Sequence, residues 1–133
     1  MRRLWVLAAI AAAACAQTLP EHDNRIFTAV PVAKLSAADL VRAFEADGAA
    51  ASDRFVGKAI EVSGLVRELA EAPGVIASFL LVAGDGTRHV RASLHEDRAV
   101  EMFKTLANGQ RTTLRCFCGG MTDHVQLKSC VVP

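Results

Sequence analysis

Val56-Gly57-Lys58-Ala59-Ile60-Glu61-Val62-Ser63-Gly64-Leu65-Val66-Arg67-Glu68 is the stretch on which the fold turns. Ile60, Val62, Gly64 and Val66 fall on one face, and Ala59, Glu61, Ser63, Leu65 and Arg67 on the other. A period of two is the mark of a half-buried strand. Gly64 sits in its middle, where a glycine weakens a flat strand but permits a bulge or a tight bend. A long strand that bends at its centre can pair with two neighbours, as in a small closed barrel.

Upstream, Met1 to Ala16 has the pattern of an export leader. Arg2 and Arg3 precede an apolar run from Leu4 to Ala14, followed by small residues. The run falls short of the roughly 20 residues that a spanning helix needs. Ala14-Cys15-Ala16 before Gln17 fits a site for ordinary release, and Ala12-Ala13-Ala14-Cys15 resembles a lipoprotein box that would make Cys15 the lipidation site. Both predict a protein of the periplasm or cell envelope, bound to a membrane only through a lipid anchor. Of 15 Lys and Arg, loss of Arg2 and Arg3 leaves 13 against 14 Asp and Glu, a net of −1 with histidines neutral. There is no tyrosine, and Trp5 lies in the leader. A basic stripe interleaved with aromatic side chains, as nucleic-acid surfaces carry, is absent.

Residues 17–34 hold Pro20, Pro31 and scattered charges without a period, which reads as a tether or irregular arm. Within it Ile26 to Val30 has the composition of a short edge strand. Ser36 opens a helix, with Asp39 three residues on and Leu40, Val41 and Phe44 on its apolar side. Gly48 is read as its stop, with Ala49 to Arg54 available for a further turn, and the helix is expected to cover one end of the barrel. After the organising strand, Glu71-Ala72-Pro73-Gly74 is a turn and Val75 to Ala83 a strand buried over most of its length. Gly84-Asp85-Gly86-Thr87 is a hairpin turn. Arg88 to Leu94 alternates, with Val90, Ala92 and Leu94 inward and His89, Arg91 and Ser93 outward.

From His95 to Leu106 the period lengthens. Ala99, Met102, Phe103 and Leu106 recur every three to four residues, Glu96 and Asp97 suit the first turn, and Asn108-Gly109 stops the helix. Gln110 to Cys118 is the fourth strand, Gly119-Gly120 a break, and Val125 to Val132 the fifth. Five strands with an N-terminal helix, and another helix between the third and fourth strands, form the plan of an OB-fold barrel, a mainly β fold occupying residues 35–133. G-K-A-I-E-V-S-G-L-V, N-G-Q-R-T-T-L-R-C-F-C-G-G and L-K-S-C-V-V resemble the tRNA_anti-like family, OB-fold domains of exported bacterial proteins and lipoproteins. The resemblance spans Leu35 to Val132.

Cys116 and Cys118 share one face of a strand, so either could stand opposite Cys130 on the next. In an exported protein a structural disulfide is the first reading. The family resemblance implies the pair Cys118–Cys130, with Cys116 where the family more often has glycine and as the alternative partner. A zinc site of Cys116, Cys118, Cys130 and His124 suffers from spacing along a strand rather than in a knuckle. Thiol exchange would need a cation beside the thiol, and Arg115 points to the opposite face.

His89, His95 and His124 are dispersed in sequence, and no catalytic triad, paired carboxylates or phosphate loop can be assembled. No enzyme activity, cofactor or metal is expected. OB barrels take ligands across their second and third strands, where this register places His89 and Arg91, joined by Arg67 and Arg88. That face suits a weakly acidic peptide, glycan or protein partner better than a polyanion. The sequence thus predicts a non-catalytic binding module of the envelope, with a nucleic-acid-binding domain and a thiol-redox or zinc protein as alternatives.

Overall fold

A computed structural model describes residues 22–69 and 78–133. The leader with Cys15, and the turn expected at Glu71 to Gly74, lie outside the described residues. The chain passes through a 3-10 turn (Asn24–Phe27), β1 (Lys34–Ser36), α1 (Ala37–Ala46), α2 (Gly48–Phe55) and β2 (Ala59–Arg67). It continues through β3 (Ser78–Val82), β4 (Val90–Leu94), α3 (Glu96–Thr105), β5 (Arg111–Met121) and β6 (Val125–Val131).

The organising stretch is β2, and its predicted inward face is buried: Ile60 and Val62 are fully enclosed and Val66 nearly so. Along one edge β2 pairs antiparallel with β5, from Ala59 opposite Phe117 to Leu65 opposite Arg111. Its other edge is shared. Glu61 to Ser63 pair in parallel with β1, and Leu65 to Arg67 pair antiparallel with β3. Gly64 is the point of exchange. A Cβ there would stand 3.1 Å from the Leu81 Cβ, 3.2 Å from the Ala37 Cβ and 3.4 Å from the Val82 carbonyl oxygen. Its smallness therefore serves close approach by α1 and β3 rather than an unusual backbone angle.

β3 pairs with β4, β4 runs parallel to β6, and β6 pairs with β5, which returns to β2. The result is a closed barrel of five strands, with β1 added beside β2, as expected for an OB fold. α3 lies between the third and fourth barrel strands and buries Met102, with Ala99, Phe103 and Leu106 packed against the core.

Three local expectations are corrected. Gly48 does not end the helical region. Asp47 breaks it with an extended backbone, caps α1 through its N–H to the Ala43 carbonyl, and accepts from the Ala50 N–H to start α2. The two helices meet through Phe44 and Phe55, with ring centroids 6.3 Å apart. Ile26 to Val30 is not an edge strand. Asp23 caps the 3-10 turn, and Ile26 is buried against Ala59, Phe117 and Val131 on the outer side of the barrel. Gly119-Gly120 does not end β5. The strand runs on to Met121, and Gly120, at φ 95°, accommodates a register shift against β6.

Residues of the irregular arm are thus seated on the barrel. The Asp23 N–H donates to Ser129 Oγ, and Arg25 clasps the Asp23 carboxylate with two nitrogens. This holds the carboxyl below the usual aspartate range, mainly through the Arg25 hydrogen bond. His95, the N-cap of α3, accepts from the Asp97 N–H at Nδ1 and lies 2.8 Å from Asn24 Oδ1 through Nε2. One buried imidazole so joins the arm to the helix start.

Candidate ligand-binding face

On the outer side of the sheet, Arg67 of β2 is in register with Leu80 of β3, and Leu80 with Arg91 of β4. Arg91 is followed across the sheet by Gln126 of β6. This row runs over the second and third barrel strands, where the sequence placed a binding face. Leu80 is its apolar floor, only 2% exposed. Arg88 is exposed in the loop that leads into β4.

His89 departs from expectation. It meets the outward Arg67 as the alternation predicts, yet it is buried, because the chain turns at residues 84–89 before β4 begins and the His124 ring stacks on it. Its Nδ1 accepts from the Ala83 N–H at 3.0 Å, and its Nε2 stands 2.8 Å from Arg67 Nη2. Arginine has only donors. A neutral imidazole can accept at one nitrogen only, so whichever nitrogen carries the proton, one contact sets donor against donor. Burial first, then the charges of Arg67 and His124, push the His89 pKa below the usual histidine value.

His124 was not foreseen as part of this face, and the histidines are less dispersed than their spacing suggested. Its ring stacks on His89 with centroids 5.9 Å apart, and its Nδ1 accepts from the His89 N–H. The Val125 N–H donates to the His89 carbonyl. The β5–β6 hairpin tip, Thr122 to His124, is thereby tied to the start of β4 and forms a rim beside Arg67. The only sequence signal was a histidine directly after a turn. Arg67, His89 and His124 form one cluster, Arg91 lies two strands from Arg67, and Arg88 shares none of these contacts.

The cysteines are paired differently from the resemblance. Cys116 is bonded to Cys130, with Cα atoms 4.3 Å apart, and Cys118 is free and buried. The register decides this. Arg115 faces Val131 and Cys118 faces Leu127, so Cys116, and not Cys118, is adjacent to Cys130. Ser129, at φ 57°, takes up the extra residue of β6 between them. Closing a loop of about 15 residues stabilises by roughly 3 kcal/mol. Burial pushes the Cys118 thiol up to about 11, which leaves it protonated and a poor nucleophile at neutral pH. Among the described residues no group of three or more His, Cys, Asp or Glu side chains gathers as a metal site.

A closed five-stranded barrel with a helix between its third and fourth strands, carrying a polar row across the second and third, defines an OB-fold protein. The sequence profile of the tRNA_anti-like family matches residues 3–131, and the chain belongs to that family. No curated protein sequence matches it significantly. Among solved structures it resembles a protein of Klebsiella pneumoniae described as a "putative nucleic acid-binding lipoprotein", at 15% identity and a TM-score of 0.60, over 84% of this chain and 97% of that one. It also aligns with an OBody bound to hen egg-white lysozyme, at 15% identity and a TM-score of 0.46, over 57% of this chain and 81% of that one. A match to a chain of Leishmania major described as a "putative aspartyl-tRNA synthetase" has 15% identity and a TM-score of 0.45, covering 73% of this chain and 20% of the other.

Proposed function

We propose that the protein is a non-catalytic binding module of the cell envelope, which captures an acidic group of a peptide, glycan or protein partner on the Arg67–His89–Arg91 face. The contact between Arg67 and His89 carries this reading. With Nδ1 accepting from Ala83, the buried imidazole turns its Nε2–H toward the arginine's donors, and a carboxylate oxygen entering there would satisfy both. Arg67 is exposed and can swing to admit it, whereas His89 is fixed by Ala83 and His124. Arg91 lies along the same row for a second oxygen. The envelope address rests on the leader, and among the described residues no helix is long and apolar enough to cross a membrane.

Amide spectra of the full chain, titrated with penta-glutamate, test this. The expected shifts fall at Arg67, Ala83, His89 and Arg91, and Arg67→Ala should weaken binding about tenfold, as for loss of one charge-assisted pair. A nucleic-acid-binding role is the second reading, favoured by the description of the Klebsiella protein. If a thymidine 12-mer shifts the same residues with an affinity that falls steeply with salt, while penta-glutamate does not, the second reading replaces the first.

A further inference from the structure

A different part of the barrel surface carries a second polar array. The outer positions of β1, β2 and β5 align in two rows across three strands. Lys34 is in register with Glu61, and Glu61 with Arg115; two residues along, Ser36 is in register with Ser63, and Ser63 with Thr113. A charged row and a hydroxyl row therefore lie side by side. They floor a groove of about 430 Å³ lined by Lys34, Ser36, Asp39, Glu61, Ser63 and Thr113, with Leu35 beside them. That volume lies within the range of about 300–1,000 Å³ usual for small-ligand sites.

Of the two acids in this groove, Asp39 accepts from Arg42 Nη1 at 2.7 Å through Oδ1, whereas Glu61 is only loosely paired. Lys34 Nζ is 3.9 Å from Glu61 Oε1, a loose pair, although the Glu61 side chain is only 14% exposed. Arg115 Nε, on the same sheet face beyond Glu61, is buried without a hydrogen-bond partner. Ser36 Oγ accepts from the Asp39 N–H and keeps its own proton to give.

The geometry points to a binding site for a neutral, hydroxyl-rich ligand, a sugar unit. An anion would meet the Glu61 and Asp39 carboxylates, and a cation would meet Lys34 and Arg42, the partner of Asp39. These two acids and two bases balance. An extended peptide reads a sheet through a free strand edge, but β2 is paired on both edges here and β1, whose outer edge no strand pairs, is only three residues long. What the groove's side chains offer is a close alternation of acceptors (Glu61, Asp39), a donor (Lys34) and groups that do both (Ser36, Ser63, Thr113). Sugar hydroxyls each donate and accept, and adjacent ones can bridge a carboxylate to its neighbour. With no aromatic ring for the sugar to stack on, affinity rests on hydrogen bonds, and a Kd on the order of 1 mM is expected.

The test is an amide-spectrum titration of the full chain with maltotriose and, separately, with N,N′-diacetylchitobiose, taken to about 20 mM, well above that Kd. One or both sugars should shift residues 34–39, 61–63 and 113–115 and leave Arg67 and His89 still. Thr113→Val and Glu61→Gln, both close in shape to the parent, should abolish the shifts while the rest of the spectrum stays folded. Arg67→Ala should leave sugar binding unchanged, which separates this site from the acidic-ligand face. Failure of both sugars to shift the groove overturns the assignment. So does shifting of the same residues by inorganic phosphate or penta-glutamate in their place.

Discussion

The two halves of β2 do different things with the same alternation. From Ala59 to Ser63 the outer side chains are covered by the arm or set in the polar groove, between β1 and β5. From Leu65 to Arg67 the strand changes partner to β3, and its outer side chains face solvent, Leu65 being 38% exposed. The inner face hardly differs between the halves. Burial fixed the inward residues alike, while the outer ones followed whichever element lay alongside. The barrel is therefore set by the inner period, and the binding chemistry by the change of neighbour at Gly64.

The sharpest way to break this arrangement is to block the exchange point. Gly64→Val would put a Cβ and two methyls where Leu81 and Ala37 already stand 3.1–3.2 Å away, and should cost about 3 kcal/mol in a denaturant melt. A melt like the parent's would mean that α1 and β3 need not approach so closely. Next in size is the disulfide. Cys130→Ala should lose about 2–4 kcal/mol, whereas Cys118→Ala should lose about 1 kcal/mol, the usual scale for a single substitution. Equal losses, or a Cys118-containing disulfide in a non-reduced peptide map, would restore the pairing that the family resemblance implied.

Smaller effects follow from pH. The folded pKa of His89 is depressed, so its contribution is full above the unfolded value of about 6.5 and is lost as pH falls below it toward the folded value. His89→Gln should flatten that part of the stability profile. Asp23 is depressed as well. Its contribution is present above an unfolded value of about 3.8 and disappears as pH falls through the lower folded value. Asp23→Asn should remove that acid limb and loosen the arm, seen as faster amide exchange at Asn24 to Phe27. Unchanged exchange there would show that Ile26, the Asp23 N–H to Ser129 and the Asn24–His95 contact seat the arm without the Arg25 ion pair.

Much of the barrel was legible because its strands bury one face: the period of two in Ala59 to Arg67 and the three-to-four period in Ala99 to Leu106 each reflect a single apolar side. What was not legible depended on register. Cys116 and Cys118 share a face, and only the added residue at Ser129 decides which of them meets Cys130. His89 obeys the alternation of β4, but it precedes the strand's first paired residue and is buried by the stacked ring of His124. How the arm is seated was not legible because its contacts, Asp23 to Ser129 and Asn24 to His95, join positions far apart in sequence and leave no local period. Alternation together with the usual ligand face of OB barrels placed Arg67 and Arg91 on the outer row, where they stand, while His124 reached His89 only through the closing of the β5–β6 hairpin over the start of β4.

The most direct measurement is the titration of the His89 imidazole by carbon-proton spectra of the full chain, with and without penta-glutamate. The expected pKa lies below 6.5 in the free protein, rises when Arg67 is replaced by alanine, and rises when the peptide binds, because a carboxylate favours the charged ring. A pKa at or above 6.5 that neither the substitution nor the peptide moves would contradict the proposed ligand-binding face.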